Sequence, residues 1–347
     1  MVDVTTFAQA LEAASGCKKK HLLLGNGFSI ACFPKIFPYT SLYEEAKPHL
    51  PAELVAAFNT LKTTDFEAVI RALQSSAAVA PIYGGDAKKM IEHSEILKEA
   101  LVKAVASRHP SRPGDISPDK YASCRKFLAH FLSDKKGNVY TTNYDLLLYW
   151  AAMQDDVDEV KIHHNDGFGK DPDDYDAEYV MWHGESKAHG QRVHYLHGAL
   201  HLFDAGRQLQ KYTWINTGKP LIDQAGEALS RNEFPLFVSE ANSNQKLAKI
   251  QHSAYLHHSY KSYIGVINGG ENSALFVLGH SLDVNDDHIF ERIGRSDLGQ
   301  LYVSLHGSQD SDANIEIIRR AERLKSLRTG TELFVGYYDA ASAAPWG

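Results

Sequence analysis

Six short apolar runs, each followed by glycine or polar residues, constrain the fold of this 347-residue chain more than any other feature. Their apolar residues are consecutive, a pattern typical of strands that are buried on both faces of a parallel sheet. Helical periodicity separates the runs, for example over residues 244–264 and 312–327. Alternating strands and helices predict an α/β, doubly wound, mostly parallel sheet. The predicted strands are His21–Gly25, Asn138–Asn143, Arg192–Gly198, Pro235–Glu240, Ala274–Ser281 and Leu301–Gly307.

Two segments interrupt this alternation. Residues 44–135 have mostly helical periodicity, and we expect them to form a helical insertion packed beside the sheet. Residues 165–190 are rich in Asp and Gly and predict a long surface loop, a kind of segment that is often functional in compact domains. The chain shows no internal repeat, and we interpret residues 1–347 as a single domain that carries both segments.

Composition excludes several classes of protein. With 36 Lys and Arg against 43 Asp and Glu, the net charge of −7 provides no basic field for direct nucleic-acid binding. No segment has the roughly 18 uninterrupted apolar residues of a membrane span. The N-terminal residues do not follow the order of a secretory signal. Three scattered cysteines, Cys17, Cys32 and Cys124, provide neither a disulfide framework nor a Cys-x-x-Cys metal site. We therefore expect a reduced, cytoplasmic protein.

Polar residues and glycines follow five of the predicted strands. In an open parallel sheet, ligands bind at the carboxyl ends of strands, so these residues predict a ligand crevice. The first strand is followed by Gly25-Asn26-Gly27-Phe28-Ser29, a turn whose backbone N–H groups could bind phosphate, although the third glycine of the dinucleotide fingerprint is missing. The other strand ends are Thr142-Asn143-Tyr144-Asp145, His197-Gly198, Ser239-Glu240 and Gly279-His280-Ser281.

The order of these motifs resembles that of sirtuins, NAD-consuming enzymes with a Rossmann-like core. Sirtuins carry, in sequence, a Gly-Ala-Gly-x-Ser turn, Thr-Gln-Asn-x-Asp, Leu-His-Gly, Phe-Gly-Glu and Gly-Thr-Ser-Leu. This chain has GNGFS (25–29), TTNYD (141–145), LHG (196–198), FVSE (237–240) and LGHSL (278–282) in the same order. The resemblance covers nearly the whole chain except residues 44–135 and 165–190.

Two departures separate the chain from the sirtuin deacylases. Residues 199–236, where those enzymes carry a four-cysteine zinc module, contain no cysteine, and Ser239 replaces the glycine of Phe-Gly-Glu. The chain therefore resembles the zinc-less, sirtuin-like proteins of bacterial anti-phage defence. That resemblance implies NAD hydrolysis, assembly into a homo-oligomer, and a partner such as a HerA-type ring ATPase. It also implies that the protein holds no metal.

The resemblance assigns roles to the residues at the strand ends, and the chemistry of their side chains agrees with those roles. Cleavage of the nicotinamide–ribose bond passes through a cationic, oxocarbenium-like state. The amide of Asn143 can hydrogen-bond both a ribose hydroxyl and a water, and neutral His197 is a suitable general base near pH 7. These two residues are the predicted catalytic groups. The predicted NAD-binding residues are Gly25, Asn26, Gly27, Phe28, Ser29, Thr142, Asp145, Gly279, His280 and Ser281.

Structural alternatives stay open for several of these residues. Asn143 is also a favoured helix cap for a helix beginning at Tyr144, and His197 could be a core histidine. Asp145 either binds ribose or stabilises a first helical turn, and Glu240 could equally pair with a neighbouring lysine. A metal site is an alternative for two groups of residues. These are the histidines around His197 (His183, His189, His194 and His201) and the carboxylates Asp283, Asp286 and Asp287.

The function predicted from these observations is an NAD glycohydrolase that releases nicotinamide and ADP-ribose. One alternative is an NAD-dependent ADP-ribosyl or acyl transferase, which would need an acceptor for turnover. A second alternative is a non-catalytic module that binds NAD or ADP-ribose and regulates a partner.

Overall fold

The computed structural model describes residues 2–347 except 134–136, 155–156, 158, 185–189, 206–208, 214–216 and 241. The described strands are β1 (Val4–Thr5), β2 (Lys19–Leu24), β3 (Val139–Thr141), β4 (Phe168–Gly169), β5 (Tyr179–Trp182), β6 (Val193–Tyr195), β7 (Leu202–Asp204), β8 (Leu209–Tyr212), β9 (Ser273–Leu278), β10 (Gln300–Leu305) and β11 (Phe334–Asp339). The α-helices are α1 (Phe7–Ala13), α2 (Asn26–Cys32), α3 (Tyr39–Ala46), α4 (Ala52–Leu61), α5 (Phe66–Val79), α6 (Ala87–Arg108), α7 (Pro118–Leu132), α8 (Leu147–Ala152), α9 (Leu221–Ser230), α10 (Ser243–His252), α11 (Ala254–Ile267), α12 (Asp287–Gly294), α13 (Asp312–Ser326) and α14 (Ala340–Ala343).

The main sheet has seven strands in the order β6-β3-β2-β9-β10-β11-β1, and every pairing in it is parallel. If β1 is set aside and β2 is counted as the first strand, the order of the remaining six strands is 3-2-1-4-5-6, the doubly wound order of dinucleotide-binding sheets. The predicted α/β doubly wound fold is therefore confirmed. The chain first builds the sheet on one side of β2 and then crosses to β9 on the other side. Ligands bind at such a switch point.

Both faces of the sheet are buried, which explains why its strands are continuous apolar runs. Leu22 and Leu24 face one core cluster, which includes Phe131 of α7. Leu23, between them, faces a second cluster, which includes Tyr263 of α11 and Ile293 of α12. Because side chains alternate along a strand, a run of leucines supplies both cores at once.

Two predicted elements differ from the structure. Residues 235–240, predicted as a strand of the main sheet, make only an antiparallel bridge between Phe237 and Gly198. Val238 in this segment is nevertheless fully buried, so the apolar run serves the core without joining the sheet. The helical pattern of residues 244–264 is divided at Ser253, which is extended (φ −102°, ψ 123°) and whose side chain accepts a hydrogen bond from Leu256 N, starting α11.

A second, antiparallel sheet has the strand order β4-β5-β8-β7. Strands β4 and β5 lie within residues 165–190, so this segment is only in part the surface loop that its composition predicts. The described residues of this segment include Trp182 of β5, which is buried against the main core. By burying Trp182, the β4–β5 pair stabilises a segment that otherwise consists mostly of turn-forming residues.

Residues 44–135 contribute α4, α5, α6 and α7, and α5 and α6 pack against each other. Helix α5 begins at Phe66, directly after Asp65, whose carboxylate accepts hydrogen bonds from Glu67 N and Ala68 N. This start places Glu67 in the first turn of α5. None of the helices in the described part of the chain combines the length and the apolar character that a membrane span requires.

Candidate active site

The turns that follow β2 and β9 touch each other at the carboxyl edge of the main sheet. Gly27 N donates a hydrogen bond to Gly279 O at 2.8 Å. A Cβ atom on Gly27 would lie 2.5 Å from Gly279 Cα, which no real side chain tolerates. Gly279 also has φ +69°, in the left-handed region that favours glycine. Glycine is therefore required at both positions so that the two turns can approach.

The same contacts occupy the N–H groups that we expected to bind a pyrophosphate. Gly25 N donates to a backbone carbonyl of β9 at 2.9 Å, and Gly27 N donates to Gly279 O. Gly279 N donates to Ser304 Oγ at 2.9 Å. Each of these three N–H groups therefore already has a partner within the protein. The physical reason is that neighbouring parallel strands bring their turns together, and buried backbone groups then pair with one another.

Asn143 is held beside this turn by a buried hydrogen-bond network. Its Nδ2 donates to Gly25 O at 3.0 Å and to Ser29 Oγ at 2.9 Å. Ser29 Oγ in turn donates to Asp145 Oδ2 at 2.5 Å, and Asp145 Oδ1 accepts from Leu147 N at 2.9 Å. Both bonds of the Asn143 side chain use Nδ2, so Oδ1 is the atom left for a ligand hydroxyl or a water.

This network decides between two of the alternatives for the second strand end. Helix α8 begins at Leu147, and the carboxylate of Asp145, rather than the amide of Asn143, accepts the N–H group of its first residue. Asp145 is buried and both of its oxygens have partners, so it supports the helix start and orients Ser29. Burial raises the pKa of Asp145, while the bonds from Ser29 and Leu147 oppose that shift.

A second network surrounds His197, which is buried at the end of β6. Its Nε2 lies 3.2 Å from His288 Nε2, and the two rings are stacked with centroids 5.4 Å apart. The same Nε2 lies 3.7 Å from Asp286 Oδ1. His280 Nε2 lies 3.2 Å from the other oxygen of Asp286. One carboxylate therefore faces imidazoles that come from the ends of β6 and β9.

A buried lysine completes this second network. Lys246 of α10 is fully buried, and its Nζ lies 2.9 Å from both Asp286 Oδ1 and Glu67 Oε2. A buried charge is tolerated when it is paired in this way. Since Glu67 belongs to α5, the ion pair joins the helical segment 44–135 to the strand ends of the sheet.

Burial and neighbouring charges shift the pKa values of the groups in this second network. Burial lowers the pKa of His197 well below its usual value, although Asp286 opposes the shift, so its imidazole is neutral near pH 7. Burial also lowers the pKa of His288, to about 4. Burial disfavours ionisation of Asp286, but Lys246 and the histidines outweigh that effect and hold its pKa well below the usual range. The carboxylates of Asp286 and Glu67 also raise the pKa of Lys246, against the effect of burial.

The two networks meet at Gly25. A Cβ atom on Gly25 would lie 2.8 Å from both Cβ and Cδ2 of His280, so the histidine packs directly against this glycine. On the other side, Gly25 O accepts the hydrogen bond from Asn143. The structure thus brings Asn143 and His280 to the same glycine, and Asp286 connects His280 to His197.

The other residues of the predicted NAD site are placed differently. Phe28 is buried in the core against Trp346, with ring centroids 5.1 Å apart, so its side chain belongs to the core and does not face the crevice. Asn26 Nδ2 donates to a backbone carbonyl at 3.1 Å. Thr142 is half-buried and donates through its backbone N to a carbonyl of β2 at 3.1 Å. Ser281 is exposed.

The histidines of the first metal alternative do not gather around His197 in the described residues. His194 Nε2 is 3.1 Å from Ser262 Oγ in a separate polar cluster. His201 packs against the rings of Tyr149 and Tyr195, with centroids 4.8 and 5.2 Å away. His189 lies outside the described residues.

The predicted carboxylates also divide between different partners. Asp283 pairs with Arg320 at 2.9 Å and Asp287 with Arg323 at 3.5 Å. Glu240 pairs with Lys249 at 3.0 Å, which is the lysine pairing that we left open for it.

A different trio has the spacing of a metal site. The ligand atoms of His197, Asp286 and His288 lie within 4.8 Å of one another. The ammonium of Lys246, 2.9 Å from the same Asp286 oxygen, already supplies a cation to this carboxylate. We therefore describe the trio as part of the charge network and assign no metal to it.

Sequence reasoning missed three members of the site: Glu67, Lys246 and His288. Glu67 and Lys246 lie on helices whose periodicity indicates only amphipathic packing, so no local signal marks them. His288 belongs to the Asp- and His-rich stretch that follows Ser281. A signal was present there, but it did not indicate which of these side chains faces His197.

Comparison with known proteins gives a family and a distant structural likeness. A family model described as "Domain of unknown function (DUF4917)" matches residues 22–346. No curated protein matches the chain. A solved structure described as "Structure of Sir2Tm bound to a propionylated peptide" is 13% identical, with 92% of this chain and 97% of that chain covered and a TM-score of 0.38. Another, "The Structural basis for Sirtuin Substrate affinity", is also 13% identical, with 93% and 98% covered and a TM-score of 0.36. Likenesses at this level assign no activity.

Proposed function

The chain belongs to the DUF4917 family, a domain of unknown function, and from its own site we propose that it hydrolyses NAD to nicotinamide and ADP-ribose. The observation that carries this proposal is the position of Asn143 and His197. Both follow neighbouring strands at the carboxyl edge of a doubly wound sheet, and each is oriented by buried partners. The order of the five motifs, four of which lie at the ends of strands of the main sheet, resembles that of sirtuins and supports NAD as the substrate.

In the proposed reaction, Asn143 binds the ribose and its attacking water. The two bonds donated by Nδ2 fix the plane of the amide and direct Oδ1 away from Gly25 and Ser29. An amide oxygen held in this way accepts a hydrogen bond from a ribose hydroxyl or a water without rotating. Asn143 thus positions the nucleophile, and its geometry is supplied by Ser29 and Asp145.

His197 is proposed to act as the general base. A base must be neutral before it accepts a proton, and burial keeps its imidazole in that form. Once His197 is protonated, the carboxylate of Asp286, 3.7 Å from its Nε2, stabilises the positive charge. The negative charge of the same carboxylate also favours an oxocarbenium-like transition state, which is positively charged.

We further propose that the activity serves anti-phage defence and is gated by assembly. Unrestrained NAD hydrolysis would deplete the host cell, so a gate is required. The helical segment 44–135 is the candidate, since Glu67 connects it to the site and it carries the exposed apolar side chains Ile82 and Tyr83, 77% and 84% exposed. Such a surface fits a homo-oligomer contact or a partner of the HerA-type ring ATPase class.

Incubation of the purified protein with NAD, with nicotinamide and ADP-ribose followed by chromatography, tests the proposed activity. Stoichiometric release of both products supports hydrolysis. Turnover only after addition of a protein or nucleotide acceptor would assign the chain to the transferases instead. Binding of NAD without turnover, in the presence and absence of a co-encoded neighbour, would indicate a regulatory module.

A further inference from the structure

The pair of imidazoles formed by His197 and His288 shares a single hydrogen bond. Their Nε2 atoms are 3.2 Å apart, and two neutral imidazoles at this distance need one proton between them. Either His197 donates to His288, or His288 donates to His197. The choice fixes the tautomers of both rings, because a neutral imidazole carries one proton on one of its two nitrogens.

His288 continues this connection toward solvent. Its Nδ1 lies 3.4 Å from Ser243 Oγ, at the start of α10. His288 and Ser243 both line a cleft of about 330 Å³ between α10 and α12. Asn244 and Arg292, which are exposed, line the same cleft, so it opens to solvent. A line of polar atoms therefore runs from buried His197 through His288 and Ser243 to water.

We propose that His288 and Ser243 form a proton relay that carries to solvent the proton accepted by His197. This inference depends on the proposed function, in which His197 is the general base. A buried base that cannot release its proton works for one turnover only, and His197 has almost no contact with water, with a side chain 3% exposed. The relay gives this proton an exit that avoids the substrate.

The transfer balances without any other reactant. At rest, His197 carries its proton on Nε2 and donates it to His288 Nε2, while His288 carries its own proton on Nδ1 and donates it to Ser243. Nδ1 of His197 then accepts a proton from the attacking water, and its Nε2 proton passes to His288. His288 releases its Nδ1 proton to Ser243, whose own hydroxyl proton goes to water in the cleft. After the products leave, the Nδ1 proton of His197 passes to water in the emptied site, and one proton returns from the cleft through Ser243 and His288 to restore the resting tautomers.

The charges around His197 and His288 allow each ring to accept a proton but disfavour its retention. Asp286, 3.7 Å from His197 Nε2, stabilises the protonated ring. Lys246 and His280, which also face this carboxylate, oppose a second positive charge there. On the other side, Tyr260 donates its hydroxyl to the backbone carbonyl of His288, and the His288 ring also hydrogen-bonds to the backbone of Asn285. The low pKa of His288, about 4, means that it releases an accepted proton readily.

Kinetics of His288 and Ser243 variants test the relay. His288→Gln keeps a hydrogen-bonding side chain that cannot pass a proton, and we expect kcat for nicotinamide release to fall on the order of 10-fold or more with KM unchanged. His288→Ala opens the position to the cleft, and added imidazole should restore its rate in proportion to imidazole concentration. Ser243→Thr, which retains the hydroxyl, should remain closer to wild type than Ser243→Ala. Thermal unfolding of each variant serves as the folding control.

A His288→Gln enzyme with wild-type kcat in dilute buffer, or a His288→Ala enzyme indifferent to imidazole, would overturn the relay. A wild-type protein that releases no nicotinamide would instead refute the proposed function. Even if no nicotinamide is released, histidine ¹⁵N NMR of the wild-type protein tests the relay, because it shows which ring nitrogen of each histidine carries the proton. The resting state requires Nε2–H on His197 and Nδ1–H on His288, and the opposite pair of tautomers is incompatible with it.

Discussion

Gly27 and Gly279 lie in backbone contact, with the N–H group of Gly27 donating to the carbonyl of Gly279 at 2.8 Å. This contact joins the turns after β2 and β9, the two strands at the switch point of the sheet. It places His280 against Gly25 and so brings the histidine network next to Asn143. The glycines of this turn are required for the packing of backbone on backbone.

Gly27→Ala should therefore destabilise the protein strongly. The new Cβ would lie 2.5 Å from Gly279 Cα, and backbone cannot move aside as a flexible side chain can. We expect a loss of about 2 kcal/mol or more in the free energy of unfolding, measured by urea denaturation. Gly265→Ala in α11 is the matched control, since a Cβ there meets no atom within 4 Å and alanine favours a helix. Equal stability of the two variants would contradict the packing role.

Asn143→Ala and His197→Ala should each abolish NAD hydrolysis while leaving the fold intact. Loss of a general base is expected to lower kcat by roughly 10²–10⁴-fold. Ser29→Ala, which removes one partner of the Asn143 amide, should have a smaller effect that appears in kcat, because the amide loses its orientation and not its chemistry. Nicotinamide release measures all three. Near-normal release by either alanine variant would remove that residue from the mechanism.

The purified protein should contain no stoichiometric zinc. Structural zinc normally takes four ligands, mostly cysteine and histidine, and the three cysteines are dispersed in sequence. The Lys246 ammonium beside Asp286 also repels a cation from the His197–Asp286–His288 trio. Elemental analysis of the purified protein measures the zinc content. Lys246→Met removes the positive charge, and zinc uptake should rise in this variant. One zinc per chain in the wild-type protein would refute the expectation.

Acidification should unfold the protein in part through His109. Its Nδ1–H donates to Pro110 O at 2.8 Å and its Nε2 accepts from Leu146 N at 3.0 Å, an arrangement that only the neutral imidazole can make. Burial lowers its pKa to about 4, against about 6.5 in an unfolded chain.

Between these two pKa values the unfolded state binds the additional proton, so stability is complete above about pH 6.5 and falls with decreasing pH. Urea unfolding at a series of pH values should show a slope of about 1.4 kcal/mol per pH unit from this residue alone. His109→Gln, which cannot titrate, should reduce the slope by that amount. An unchanged slope would show that His109 does not titrate in this range.

Assembly through the helical segment 44–135 should control activity. We expect the protein, alone or with a co-encoded neighbour, to be larger than a monomer in light-scattering measurements. Substitution of exposed Ile82 and Tyr83 by aspartate should disrupt that assembly without affecting the fold, because neither side chain serves the core. A strict monomer with full activity in the absence of any partner would exclude this form of gating.

The sequence alone was sufficient for the class of fold and for the edge of the sheet on which the candidate residues lie. Consecutive apolar residues in β2 and β9 indicate strands buried on both faces, and strands of this kind belong to parallel sheets. The carboxyl ends of parallel strands share one edge, so Asn143, His197 and His280 could be placed there before any contact was known. These inferences use only local patterns. The alternation of side chains along a strand explains the burial on both faces, and the common direction of parallel strands explains the shared edge.

Only the tertiary structure decided which atoms of that edge are free and which are engaged. The N–H group of Gly25 is paired with β9 and that of Gly27 with Gly279, and Asp145 accepts a hydrogen bond from Ser29, the partner of Asn143. Lys246 and Glu67 join the site from helices that are distant in the sequence. The local sequence of such a helix does not distinguish a charged residue that is buried from one that is exposed. Hydrogen-bond partners and burial depend on contacts between distant segments, and no periodicity in the sequence encodes them. For that reason the edge of the sheet on which these residues lie could be predicted from the sequence, while their charge network required the fold.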